Sequence, residues 1–392
     1  MNQLSKRLLA ASVAAACMST AWAQDKKMTE KPGVPTLGQV MEATGITITG
    51  YVDTSYTYLS GSGTFTSGTA NRVFDTERRS FNLNALDLTL SALPPEGFGG
   101  MVNLTAGSDA KVITPAGTTN DEFDVTQAYV HFAKGPWMAI AGKFVTLSGA
   151  EVIKSPANTN FTRSILFGYA IPFTHTGVRV YLAPGGSAVA PDGKWTFIVG
   201  LNNGWDVQNE SVQAAATDGS KGLGKTLELG ANGNLTKSVS LAAVYYSGPE
   251  STGAITPAST GSRDLFDLVL TWNATDKLSL VLNYDKAEQE KALAGGGTAK
   301  WDGVAGYVNY KFNDQWRVSF RTEELNDKNG LRTGVTQKWK ENTLTLAHTP
   351  AKNVELRAEV RDDRSNQSSF NFPNGTTKKS QNGFGLEAIY KF

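Results

Sequence analysis

Along much of this chain apolar and polar residues alternate with a period of two, which gives a strand one apolar and one polar face and gives a helix neither. The end of the chain shows it most sharply: Phe384, Leu386, Ala388, Tyr390 and Phe392 alternate with Gly383, Gly385, Glu387 and Lys391, and only Ile389 breaks the pattern. In the run from Val354 to Arg361, Glu355, Arg357, Glu359 and Arg361 fill every second position, and Trp316 to Arg321, Leu278 to Asp285 and Leu86 to Ser91 repeat the theme. Each run is about as long as a tilted strand needs to cross a bilayer.

Read this way, the chain predicts about sixteen strands. They cover residues 46–59, 79–93, 99–107, 123–133, 137–145, 175–183, 194–203, 225–235, 238–247, 264–273, 277–287, 301–312, 315–325, 335–348, 353–363 and 383–392. The connections alternate in length. Short ones at 94–97, 134–136, 236–237, 274–276, 313–314 and 350–352 interleave with long polar ones at 60–77, 204–224, 248–263, 288–300 and 364–382, and 184–193 is the untidy exception. A soluble sandwich has no reason to keep its long loops at one end. A transmembrane antiparallel up-and-down β-barrel does, with tight periplasmic turns and long external loops. Aromatics near the strand ends, Tyr56, Tyr58, Trp137, Trp195, Tyr245, Trp272, Tyr284, Trp301, Tyr310, Phe312, Trp316 and Tyr390, fit girdles at headgroup level.

The first residues read as an export signal: Lys6 and Arg7 precede an apolar run to Met18, and Ala21 and Ala23 suit cleavage before Gln24. Losing 1–23 removes two of 37 basic side chains and none of 36 acidic ones, so the mature charge is about −1. That balance argues against a nucleic-acid partner. Cys17, the single cysteine, leaves with the signal; Ala14 to Ala16 lack the Leu expected ahead of a lipidated cysteine, and no disulfide or thiolate metal site remains. No later stretch reaches 18 consecutive apolar residues, which excludes a conventional helical membrane protein and leaves a bacterial outer membrane as the expected destination. Residues 24–44 form a polar leader, periplasmic or lumen-plugging, with a short helix expected over Thr36 to Ala43.

A hollow barrel needs an inward loop or charged rings to set its selectivity. The connection 146–174 is the longest, and it is amphipathic: Glu151, Lys154, Asn158, Asn160 and Arg163 accompany Phe161, Ile165, Leu166, Phe167, Ile171 and Phe173. Folding it into the barrel mouth would bury the apolar side and turn the polar side to the channel. If the apolar strand face meets lipid, the lumen receives Asp53, Asp87, Lys143, Arg179, Glu228, Asp267, Asp285, Lys311, Arg317, Arg321, Glu323, Glu355, Arg357, Glu359, Arg361 and Glu387. Arg317, Arg321, Arg357 and Arg361 would then form a basic wall facing the loop, and Glu151, Lys154, Arg163, Arg179, Asp53 and Asp87 complete the constriction candidates. The alternative is a solvated lining without selectivity.

Gly142-Lys143-Phe144 and the run NTNFTRSILFGYAIPFTHTG from Asn158 to Gly177 resemble the β-barrel porin family called OmpL-like. Gly45 to Asp53 and Gln127 to Phe132 are similar to it too, so the resemblance spans nearly the whole mature chain. It implies an outer-membrane porin, a water-filled channel for small polar solutes and ions, commonly a homotrimer. The last strand resembles the C-terminal signal that the outer-membrane assembly machinery reads, with Phe392 and Tyr390 as its aromatic end. Two other classes fit the sequence less well. A hydrolase has only His131, His175 and His348 to draw on; His131 and His175 are placed to approach Ser164, but no nucleophile motif surrounds that serine and no two histidines have metal-ligand spacing. An adhesin would use external loops that are rich in Gly, Ser, Thr and Asn, a composition of mobile caps more than of a binding interface. No cofactor is expected.

Overall fold

The computed structural model describes residues 36–115, 118, 121–189, 195–209, 224–251 and 260–392, so the expected signal peptide and residues 24–35 lie outside it. Sixteen strands close into one barrel in which every strand runs antiparallel to its two neighbours. They are β1 (Thr47–Leu59), β2 (Ser80–Ala92), β3 (Gly97–Ala106), β4 (Phe123–Lys134), β5 (Trp137–Val145), β6 (Thr174–Leu182), β7 (Thr196–Asn202) and β8 (Thr226–Asn234). The second half is β9 (Val239–Ser251), β10 (Thr260–Asn273), β11 (Leu278–Gln289), β12 (Ala299–Lys311), β13 (Trp316–Asp327), β14 (Gln337–Ala351), β15 (Val354–Ser365) and β16 (Ser380–Lys391). Each coincides with an expected strand to within a few residues, because period two is strong wherever one wall faces lipid.

Burial inverts its usual chemistry here. From Gln337 to Ala347 every second residue is buried, and these inward positions include Glu341, Thr343 and Thr345, while Leu344 and Leu346 between them are exposed on the outer wall. Lipid is the apolar solvent, so the exposed Phe81, Val130, Val199, Val304, Val360 and Leu386 are where the physics wants them. Closure is sealed where β16 meets β1: Gly50 and Phe392 exchange two backbone hydrogen bonds of 2.9 Å. A Cβ on Gly50 would stand 2.6 Å from the Phe392 ring, so only glycine lets that ring lie across the seam. With no free edge, every strand is paired on both sides.

Short connections join β2 to β3, β4 to β5, β8 to β9, β10 to β11, β12 to β13 and β14 to β15 at one end. The connections at the other end are, in chain order, L1 (60–79), L2 (107–122), L3 (146–173), L4 (203–225), L5 (252–259), L6 (290–298), L7 (328–336) and L8 (366–379), of which 116–117, 119–120, 210–223 and 252–259 lie outside the described residues. Helix α1 (Leu37–Thr44) precedes the barrel, capped by Thr36 and ended by Gly45 in the left-handed region, close to the expected helix. Helix α2 (Ser108–Ile113) lies in L2.

Two expectations fail on orientation. Trp301 does not join a girdle but points inward and is fully buried, since it shares a face with Ala305 and Tyr307. Ile389 does not merely interrupt an alternation, because it faces inward and packs with Tyr51 and Ala85 in a small apolar cluster at the seam. L1 and L8 are not loose caps either: Phe65 of L1 sits edge-on to Trp339 at 4.9 Å and beside Phe370 of L8 at 5.5 Å.

The constriction loop and the candidate pore

L3 leaves β5 at Val145 and cannot continue as a strand. Pro156 and Pro172 have no amide to donate, and Gly149 adopts φ +93°. The chain instead makes a short 3-10 turn at Ser155–Ala157 and a π-helical turn at Leu166–Ala170. Ile165, Leu166, Phe167, Tyr169, Ala170, Ile171 and Phe173 are all buried, packed on inward apolar residues of β9 to β14 such as Tyr246, Leu265, Tyr307, Leu325 and Trp339. A hydrophobic core therefore lies inside the barrel. L3 sits so close to the wall that a Cβ on Gly303 would meet Leu166 at 2.8 Å, and one on Gly385 would meet Phe161 at 2.6 Å.

Its polar groups are tied down as thoroughly. Glu359 accepts from the Phe161 and Thr162 amides at 2.7 and 3.0 Å, and Glu323 from the Ile165 and Leu166 amides at 2.6 and 3.0 Å. Arg321 donates to Glu151 at 2.7 Å, to the Thr162 carbonyl at 2.6 Å and to Glu341 at 2.6 Å. Arg357 reaches Glu387 at 3.0 Å and the Asn158 carbonyl at 2.9 Å, while Ser155 bonds Glu387 from the loop. Arg361 bridges Asp363 and the Arg163 carbonyl, both at 2.9 Å. At the loop's root the Gly149 amide donates to Asp267 at 3.1 Å, and the Ala150 amide to Asn283 at 3.2 Å.

The four expected arginines thus do face inward on β13 and β15, yet Arg321, Arg357 and Arg361 lie beneath L3 with almost no exposure. They hold the loop and do not form an open wall. The reason is supply: each has a carboxylate on its own or a neighbouring strand, and the loop adds carbonyl acceptors above it. Arg317 is different, 17% exposed, bonded to Glu355 at 2.8 Å and to the Thr159 carbonyl at 2.8 Å. Glu151 and Arg163 are buried as well, Arg163 gripping the Ile153 and Phe161 carbonyls. Lys154 is 33% exposed and crosses to β2, where it bonds Asp87 at 3.0 Å and Thr89 at 2.7 Å.

The remaining candidates pair away from this loop face. Arg179 binds Glu228 at 2.8 Å and stacks on the Phe144 ring at 4.2 Å, Asp53 accepts from Asn84 at 3.1 Å, and Lys143 binds Asp124 at 2.9 Å. Asp285 stands opposite Asp267 in register, and both are buried. Glu341, Asp363 and Trp339 are not among the lumen residues expected from the sequence, although all lie on inward positions of the same alternation. The Ser164 hydroxyl accepts from the Phe167 amide, and His175 bonds the Gly204 carbonyl at 3.0 Å and stacks on Tyr246 at 4.8 Å.

L2 joins this assembly through Asp109 on α2, which lies 3.8 Å from Arg163. Burial pushes the Asp109 carboxyl up to about 7, and the guanidinium offsets only part of that. A carboxyl raised on folding stabilises the docked helix fully below its unfolded value near 4, and that contribution is lost as pH rises through about 7. Intrinsic-rate-corrected amide exchange across 108–113 should accordingly become at least about tenfold less protected between pH 5 and pH 8 in the native chain. Asp109→Asn should flatten that change, and an equal loss in both proteins would refute the assignment.

A family model described as "Putative beta-barrel porin-2, OmpL-like" matches residues 45–392. Among solved structures the chain is similar to the outer membrane channel DcaP of Acinetobacter baumannii, with TM-score 0.60 and 14% identity over 88% of this chain and 97% of that one. An anion-selective porin from Comamonas acidovorans gives TM-score 0.61 at 12% identity, covering 88% and 99%. Pseudomonas putida OprB gives 0.59 at 13%, covering 90% and 96%. At such identities the likeness is one of fold. No curated protein matches the sequence.

Proposed function

Because this chain belongs to the OmpL-like porin family, we propose that its barrel is a water-filled channel for passive diffusion of small polar solutes and ions, and that it performs no catalysis. The observation that carries this is a closed sixteen-strand wall, wide enough for an aqueous lumen, with L3 folded inside it. Its polar anchors fall on β9 to β16 and β2. Facing it, β3 to β6 carry the partly exposed Met101, Tyr129, Met138 and Tyr181 on the inward face. The proposed passage runs beside L3, with Lys154 and Asp87 at its narrow side.

The location is the outer membrane, reached after cleavage near Ala23. The outer wall also suggests assembly. On β11 to β15 its upper positions are charged, including Lys286, Lys300, Asp302, Lys340 and Arg364, as headgroups require, whereas β2, β4 and β7 stay apolar with Phe81, Leu83, Val125 and Leu201. That apolar half suits contact with further copies, and a homotrimer is the proposed state.

Reconstituted in a planar bilayer, the protein should give stepwise ion currents in plain salt without any added substrate. Folded protein that leaves the bilayer silent would refute the channel.

A further inference from the structure

We propose that the periplasmic half of the lumen holds an anion-binding strip formed by Lys311, Arg317 and Lys391, and that the channel therefore favours small anions bearing carboxylate or phosphate groups. The inference rests on the channel reading and adds the class of solute. Below L3 the inward strand positions are mostly neutral, as at Asn232, Ser240, Thr271, Ser279 and Asn309. Among the described residues, the charged groups on that half of the inward strand faces that retain exposure are Lys311, Arg317, Lys391 and a single acid, Glu355.

The placement of these charges is not what stability alone would choose. Lys311 and Arg317 lie directly opposite each other on β12 and β13, a like-charge cross-strand pair that costs stability unless something anionic offsets it. Glu355 does so only in part. One of its oxygens serves both Arg317 at 2.8 Å and Arg357 at 2.7 Å, so a single carboxylate is divided between two guanidiniums. Among the described residues neither Lys311 nor Lys391 makes an ion pair, and both remain at least partly exposed. Lys391 shares its inward face with Glu387, which Arg357 and Ser155 already occupy. Lys154, from the loop above, adds a half-buried ammonium whose partner Asp87 is itself buried. A passing anion thus meets two ammonium groups without an ion pair and one incompletely neutralised guanidinium, against the single carboxylate of Glu355, in a lumen half whose other exposed inward positions are neutral, which concentrates counter-ions and disfavours cations.

The test uses the full mature chain in a planar bilayer under a potassium chloride gradient, at low salt where screening is weakest. The native channel should reverse on the chloride side, and Lys311→Glu with Lys391→Glu should lower the chloride-to-potassium permeability ratio several-fold while the steps persist. Lys311→Gln with Lys391→Gln should give an intermediate ratio, and Lys286→Glu on the outer wall should leave it unchanged. Inorganic phosphate added to the periplasmic side should reduce chloride current in the native channel more than in the double variants. Cation preference in the native protein, or an unchanged ratio in double variants that still conduct, would overturn the strip. A silent native channel would instead overturn the porin reading itself.

Discussion

Arg321→Ala should give larger and noisier current steps than the native chain and should lower its resistance to denaturation. Arg321 is fully buried and joins Glu151 and the Thr162 carbonyl of L3 to Glu341 of β14. Removing it leaves Glu151, Glu341 and the neighbouring Glu323 as buried carboxylates without their common cation. Breaking a buried pair in that way costs about 3–5 kcal/mol, far more than the pair itself is worth against a well-packed apolar substitute. The barrel wall is held by its own strand ladder, so the strain falls on the loop, which should detach and widen the passage. Arg321→Lys should lie between the two, since an ammonium keeps the charge but loses the planar fork that serves three acceptors at once. Lys340→Ala, which breaks an exposed outer pair with Glu324, should cost no more than about 1 kcal/mol and leave the steps unchanged. Steps from Arg321→Ala that match the native ones in size and noise would show that L3 does not set the conductance.

Phe392→Asp should abolish most outer-membrane insertion and leave the protein in the periplasm. Phe392 is exposed on the outer wall beside Tyr390, with ring centroids 6.4 Å apart, and its backbone pairs with Gly50 where the barrel closes. A carboxylate there would face lipid and would also remove the terminal aromatic that we propose the assembly machinery reads. Membrane fractionation with surface labelling distinguishes the outcomes. Lys391→Ala, one residue away and turned inward, should insert almost normally. Normal surface display of Phe392→Asp would eliminate Phe392 as an assembly signal.

The wall of this protein was legible in its sequence. Period two is a local property: Leu344, Thr345 and Leu346 declare their faces without reference to anything distant, and the barrel follows because alternating strands with no helix to cover them must close on themselves in lipid. The length of 146–174, its mixture of Phe161, Ile165 and Phe167 with Glu151 and Arg163, and its place after the fifth strand single it out in the sequence as the expected inward loop. What only the tertiary structure decided is which inward charges meet water. Arg317 and Arg321 look alike on one strand, four residues apart on the same face, yet one is partly solvated and the other sealed. The difference comes from partners such as Glu151, 170 residues away in the chain, delivered by a loop whose path depends on an apolar surface assembled from six different strands. Alternation cannot encode that, because a side chain facing a lumen has the same sequence signature whether the lumen there holds water or protein.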